Sequence, residues 1–221
     1  MTNDIKVAAI VPAYNEEKTV GPIVRTLVTS PLLSEVIVVS DGSTDRTQLF
    51  AEREGARTLQ LPRTQGKGEA MLHGVAHTDA NVIVFFDADL IGLTHDHIER
   101  LVYPVMSGSR SMNVGIRDRG LLATKLSMKL PLIGGERAMN RNVIEGVPPE
   151  FLKGFMVEAA LNFHCRSRGY TYGMVFLPGL TIRRKMQKVG IWRGMVQYVK
   201  MFYQVAKAML VVRLAYLFKR F

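Results

Sequence analysis

Asp87 and Asp89 stand two positions apart at the end of an apolar run, Val82 to Phe86. Such a run reads as a strand buried on both faces. Two carboxylates at its end cannot both stay charged and unpartnered, because desolvation and mutual repulsion raise one pKa or drive them out to solvent. A divalent cation removes the conflict, since hard cations take carboxylate oxygens. On this stretch alone, two solvated loop aspartates remain the alternative. Three other stretches carry polar residues suited to a ligand: "PAYNEE" (Pro12–Glu17), "SDGSTDRT" (Ser40–Thr47) and "GKG" (Gly66–Gly68). Taken singly each is weak. Asp41-Gly42 fits a plain turn, Asn15-Glu16 a helix cap, and Gly66-Lys67-Gly68 lacks the spacing and the Ser/Thr of a P-loop.

The elements that must position these residues alternate in type. Ile5–Ala13 is predicted as an apolar strand and Glu16–Ser30 as a helix with Val20, Ile23, Val24 and Leu27 on one face. Glu35–Asp41 is a second strand. Ser43–Ala56 is a second helix, capped by Ser43 or Thr44 and closed by Gly55. Ala56–Leu61 is a short strand, Gly66–Thr78 a helix, and Val82–Phe86 the fourth strand. This βαβαβαβ order predicts a mainly parallel sheet with helices on both faces. Ligands in such sheets sit beyond the carboxyl ends of the strands, and all four polar stretches lie on that edge.

In this order the four stretches resemble a family 2 glycosyltransferase of the GT-A fold, over roughly the first 90 residues. The matching pieces are "VPAYNEE", "VSDGSTDRT", "GKGEAM" and "FFDADL". The resemblance implies a nucleotide-diphospho-sugar donor. It implies Pro12, Ala13, Tyr14 and Glu16 around base and ribose, Asp41 on the base edge, Lys67 near the ribose or diphosphate, and Ala88 beside them. Asp87 and Asp89 would hold Mg²⁺ or Mn²⁺ against the two phosphates, stabilising the charge that develops on the leaving group. A sugar-phosphate nucleotidyltransferase is the alternative on the same fold. That class carries a glycine-rich basic loop after strand one, where this chain has Ala13-Tyr14-Asn15-Glu16-Glu17. A membrane-surface or RNA-binding module would explain the basic tail but not four aligned motifs.

The second half is expected to form the acceptor site. Ser111–Gly120 reads as a strand ending near Arg117, Ile133–Pro148 as a glycine turn opening a helix, Phe151–Tyr170 as a helix, and Thr171–Gly190 as a strand followed by a basic loop. The order is similar to dolichyl- and polyprenyl-phosphate sugar synthases, which places Arg117, Arg137, Arg184 (or Arg183) and Lys188 at an acceptor phosphate. Arginine presents a planar fork to phosphate oxygens. A run of basic residues facing water is the alternative. The chain departs from those synthases in having "GGERA" where they carry "GSFR", and in Ile91, where many relatives have a polar side chain. The "GERA…GF..E" pattern is also similar to glucosyl-phosphoglycerate synthases, so a soluble phosphorylated acceptor such as phosphoglycerate stands as the second reading.

A hydroxyl acceptor needs a general base, whereas a phosphate acceptor does not. Besides Asp89, the candidates for catalysis are Glu136 and Glu158, each of which could instead pair with an arginine or cap a helix. Resemblance to family 2 favours inversion. His73 and His77 have i, i+4 spacing but no evident third ligand, and a structural role is expected. Thr94 is expected to cap the helix opened by His95 and His97.

The chain has 221 residues, 48% of them hydrophobic, enough for one full α/β core. Its one cysteine excludes an internal disulfide and suits a reducing, cytoplasmic setting. The N-terminal stretch lacks the pattern of a secretory leader. Of the 29 basic residues ten lie in 183–221, a stretch with no acid, so the other 19 balance the 19 acidic ones. That distribution argues against a nucleic-acid binder. The predicted divisions are a glycosyltransferase domain over 1–190 (donor half 1–92, acceptor half 93–190) and a basic amphipathic helical tail over 191–221. In the tail Arg193, Gln197, Lys200, Gln204 and Lys207 form one stripe, and no run of ~20 apolar residues could cross a bilayer. The tail is therefore expected to lie on the inner membrane surface beside a lipid-phosphate acceptor. A helix folded onto the body, or onto a partner subunit in a homo-oligomer, is the alternative.

Overall fold

A computed structural model describes residues 5–118, 134–153 and 156–183. Its elements run β1 (Val7–Ala13), α1 (Val20–Val28), β2 (Glu35–Asp41), α2 (Thr47–Arg53), β3 (Arg57–Leu61), α3 (Lys67–Val75), β4 (Val82–Phe85), β5 (Leu90–Ile91), α4 (His95–Met106), β6 (Met112–Arg117) and β7 (Arg137–Asn140). After them come α5 (Arg141–Glu145), a 3₁₀ turn (Pro149–Phe151), α6 (Met156–Ser167), β8 (Tyr172–Leu177) and β9 (Thr181–Ile182). Seven strands form one sheet in the order β3-β2-β1-β4-β7-β6-β8, and β5 pairs with β9 in a small second sheet.

Strands β1 to β4 are parallel, with Val7 opposite Val82 and Ile10 opposite both Ile37 and Phe85. Their side chains alternate between two cores. Val7, Ala9 and Val11 join Val20, Val24 and Leu27 of α1 and Ile98 and Leu101 of α4. Ala8 and Ile10 join Met71 of α3 and Val157, Ala160 and Leu161 of α6. Each fully buried aliphatic side chain contributes about 1.5–3 kcal/mol, and burial on both faces explains why these strands read as continuous apolar runs. The mainly parallel, helix-flanked architecture is the one expected from the sequence.

Three local readings are corrected. The stretch read as a glycine turn into a helix contains β7, which runs antiparallel to both β4 and β6; only five residues of helix follow. Its four residues are too few for periodicity to register. Helix α2 starts at Thr47, not at Ser43 or Thr44, and Arg46 at its cap position makes no side-chain cap bond. The helix expected from Phe151 begins at Met156, after the 3₁₀ turn. The Thr94 cap is as expected: its hydroxyl accepts from His97 N at 3.4 Å, while Thr94 N donates to His97 Nδ1 at 3.2 Å. Arg184, Lys188 and the whole predicted tail lie outside the described residues.

Candidate active site

The parallel strands deliver their four loops to one edge, and the first two loops are sewn together by short polar side chains. Asn15 N donates to Ser43 Oγ at 3.1 Å, Glu16 N to Thr47 Oγ1 at 2.8 Å, and Glu17 N to Asp45 Oδ2 at 3.1 Å. Asn15 Oδ1 accepts from Thr44 N at 2.9 Å, and Asn15 is left-handed with φ 54, a conformation that asparagine tolerates. Burial works against the Asp45 carboxylate, but the Thr47 hydroxyl and amide and the Glu17 amide outweigh it and hold its pKa low. Sequence reasoning missed this positioning role of Ser43, Asp45 and Thr47. Their alternate spacing in "SDGSTDRT" is the available signal, because Ser, Thr and Asp side chains bond nearby backbone in turns.

Asp41, at a stretch that by sequence fits a plain turn, is only 4% exposed. Its two oxygens accept from Gln65 N at 2.7 Å and Gly66 N at 2.9 Å. It therefore fixes the loop that presents Lys67. The Asp41-Gly42 turn needs its glycine, since Gly42 has φ +68 and a Cβ there would lie 2.7 Å from Thr64 N. On the far side of the same loop, a Cβ on Gly68 would lie 1.8 Å from the Leu152 carbonyl. The chain there has no room for any other residue.

A charged centre lies behind these loops. Lys67 Nζ is 2.5 Å from Asp87 Oδ1, and Arg117 Nη1 is 3.4 Å from Asp87 Oδ2. The same Arg117 nitrogen is 3.5 Å from Glu136 Oε1. Burial alone would favour a neutral Asp87, but Lys67, Arg117 and Arg137 outweigh it and hold its pKa below the ordinary value. Burial likewise disfavours the Lys67 ammonium, and the carboxylates of Asp87, Glu158 and Glu136 reverse that and raise its pKa. Glu136 has no solvent exposure. Burial first, then the Asp87 charge, push it up to about 7 against the pull of Arg117 and Lys67. Gly135 packs directly on Asp87: a Cβ there would sit 2.4 Å from Oδ2.

Nine residues line a cleft of about 280 Å³: Pro12, Ala13, Tyr14, Glu16, Asp41, Lys67, Asp87, Ala88 and Asp89. They are the nine that the family resemblance implies around a donor. Glu136 and Arg137 do not line it. Arg137 is 1% exposed and donates Nε and Nη2 to the Gly134 carbonyl at 3.2 and 2.7 Å. It braces the glycine turn from within the core, where the sequence expects a phosphate ligand. Glu158, in the first turn of α6, is half-buried. Arg183 is exposed. Its backbone N donates to the Asp89 carbonyl at 2.9 Å, and it lines a separate cleft of about 420 Å³ with Lys18, Thr19 and Ile91.

Asp87 and Asp89 offer hard oxygen donors on one wall of the cleft, and the missing Cβ at Gly135 leaves the first of them its space. That set fits a divalent cation whose remaining ligands are phosphate oxygens and water. Among the described residues no group of three His, Cys, Asp or Glu side chains converges on a metal-sized site, and the His73 and His77 rings simply pack at 4.4 Å.

The model of the family described as glycosyl transferase family 2 matches residues 8–162. Glucosyl-3-phosphoglycerate synthase of Mycolicibacterium smegmatis is 32% identical over 190 residues, covering 70% of this chain and 62% of that protein. The 4,4'-diaponeurosporenoate glycosyltransferase of Staphylococcus aureus strain MRSA252 is 37% identical over 98 residues, covering 42% of this chain and 26% of its own. A crystal structure of glucosyl-3-phosphoglycerate synthase from Mycobacterium tuberculosis with Mn²⁺, UDP and glucosyl-3-phosphoglycerate superposes with a TM-score of 0.77 at 26% identity, over 95% of this chain and 80% of that one. Another, with Mg²⁺ and UDP, gives 0.75 at 26% identity, with 95% and 79% covered. This chain spans about 60% of the length of the synthases it matches (62%, 58% and 57%).

Proposed function

The chain belongs to glycosyl transferase family 2, and on that basis we propose that it moves a sugar from a nucleotide-diphospho-sugar to a soluble phosphorylated acceptor of the phosphoglycerate type. The observation that carries this reading is the Asp87 carboxylate held between Lys67 and Arg117 in a cleft lined by four strand-end motifs. Pro12, Ala13, Tyr14, Glu16 and Asp41 would hold base and ribose. Asp87 and Asp89 would hold Mn²⁺ or Mg²⁺, which when bound supplies Lewis-acid stabilisation of the leaving diphosphate. Lys67 is 35% exposed at its side chain, so it is free to turn from Asp87 to a diphosphate oxygen. Arg117 would offer its remaining N–H groups to the acceptor phosphate. An acceptor hydroxyl would give its proton to Glu158, because Glu136 is enclosed by protein.

The names of the synthases support the phosphoglycerate-type acceptor, as does the "GERA" pattern. The lipid-phosphate acceptor and the membrane-surface location expected from the sequence rest on residues 184–221, outside the described part. Among the described residues no helix is long and apolar enough to cross a membrane. The test incubates the protein with Mn²⁺, a panel of nucleotide sugars, and either 3-phosphoglycerate or a short polyprenyl phosphate. Glycosylated phosphoglycerate is the expected product. Transfer to the polyprenyl phosphate alone would restore the lipid reading, and failure to consume any nucleotide sugar would overturn the enzyme reading.

A further inference from the structure

We infer that Glu136 is a positioning residue of the metal site: a buried carboxylate that takes over Arg117 when a divalent cation arrives at Asp87. The inference rests on reading Asp87 and Asp89 as the cation's ligands. Three observations carry it. First, one nitrogen of Arg117 lies almost midway between two carboxylates, 3.4 Å from Asp87 and 3.5 Å from Glu136. Second, both Glu136 oxygens are buried and have no hydrogen-bond partner among the described residues. Buried polar atoms are nearly always satisfied, so such a pair needs an explanation. Third, the two cations on Asp87 differ in their freedom. The Lys67 side chain is 35% exposed and can swing into the cleft, while that of Arg117 is only 12% exposed.

A cation on Asp87 repels both. Lys67 has the cleft to move into, but Arg117 must find its counter-charge within the protein. Glu136 is already there. A shift of roughly 0.7 Å brings the Arg117 nitrogen into charge-assisted hydrogen-bond range. The receiving carboxylate cannot wander, because Gly115 N donates to the Glu136 carbonyl at 2.8 Å and a Cβ on Gly115 would meet Glu136 Cβ at 3.2 Å. Docked on Glu136, Arg117 leaves Asp87 to the cation and stays within the site.

The experiment titrates Mn²⁺ by its electron paramagnetic resonance signal, with UDP present, into wild type, Glu136→Gln, Arg117→Met and the double variant. Glu136→Gln keeps shape and removes the receiving charge. It should weaken Mn²⁺ binding about tenfold, with UDP binding in excess chelator changed less than twofold. In the Arg117→Met background the same substitution should change Mn²⁺ affinity less than twofold, because the cation to be received is gone. Arg117→Met alone should bind Mn²⁺ at least as tightly as wild type, which keeps a test in hand if the buried substitution impairs folding. Wild-type Mn²⁺ affinity in Glu136→Gln, an equal loss in both backgrounds, or a tenfold loss in Arg117→Met would each overturn the inference. Mn²⁺ uptake that survives Asp89→Ala, or that is absent from wild type, would instead overturn the donor-site reading and the inference with it.

Discussion

Replacing Glu136 by glutamine should change the pH dependence of stability in a direction and by an amount that follow from the site. Glu136 has no solvent exposure, and burial with the Asp87 charge raises its pKa from 4.5 to about 7. Between those pH values the native protein holds a proton that the unfolded chain has released. A group raised on folding gives stability that is complete below its unfolded pKa and is lost as pH rises through the folded one. The whole effect is ~3 kcal/mol, at 1.36 kcal/mol per pKa unit. Part of it is already lost at pH 5.5, so ~2 kcal/mol more should go by pH 8.5. Glutamine stays neutral throughout and keeps the shape. Urea unfolding of both proteins in chelator, without nucleotide, should show the variant gaining ~2 kcal/mol on wild type between pH 5.5 and 8.5. Any fixed cost of the amide beside Arg117 cancels in that difference. A gap that stays constant within ~0.5 kcal/mol, well inside the expected change, would refute the claim that burial raises the pKa of this carboxyl.

Asp89→Ala should reduce Mn²⁺-dependent UDP binding at least tenfold in calorimetry, and excess chelator should do the same to wild type; undiminished binding in either would remove the aspartate pair from the donor site. Gly135→Ala puts a Cβ 2.4 Å from Asp87 Oδ2, and overpacking of that kind costs ~1–3 kcal/mol, so Tm and Mn²⁺ affinity should fall together. Asp41→Ala strips two backbone N–H groups of a buried acceptor. It should destabilise by ~2 kcal/mol or more and make the Arg63–Gly66 loop more sensitive to limited proteolysis, whereas a neutral stability change would return Asp41 to a purely ligand-facing role.

Much of the donor side was legible in the sequence for two physical reasons. Strands buried on both faces must be apolar throughout, so Val7–Ala13, Glu35–Asp41 and Val82–Phe85 announce themselves. Parallel strands must also carry their C-terminal loops on one edge, so the four polar stretches could be grouped from their order, and the family resemblance picked out of them the nine residues, Pro12 to Asp89, that line the cleft. Tertiary structure decided what each of them does once grouped. Asp41 faces the backbone N–H groups of Gln65 and Gly66, 24 and 25 residues onward, and no local pattern records such a pairing. Strand β7 is placed by its neighbours β4 and β6, because four residues between a glycine turn and a short helix have no periodicity of their own. That placement decides the fate of its neighbours in the chain. Arg137, expected at a phosphate, is turned into the core to brace Gly134, and Glu136, expected to meet an acceptor, is sealed beside Arg117. Sequence specifies which residues can carry charge, but whether a charge meets solvent, ligand or another side chain depends on contacts closed across twenty or more residues, such as Lys67 with Asp87 and Asp87 with Arg117.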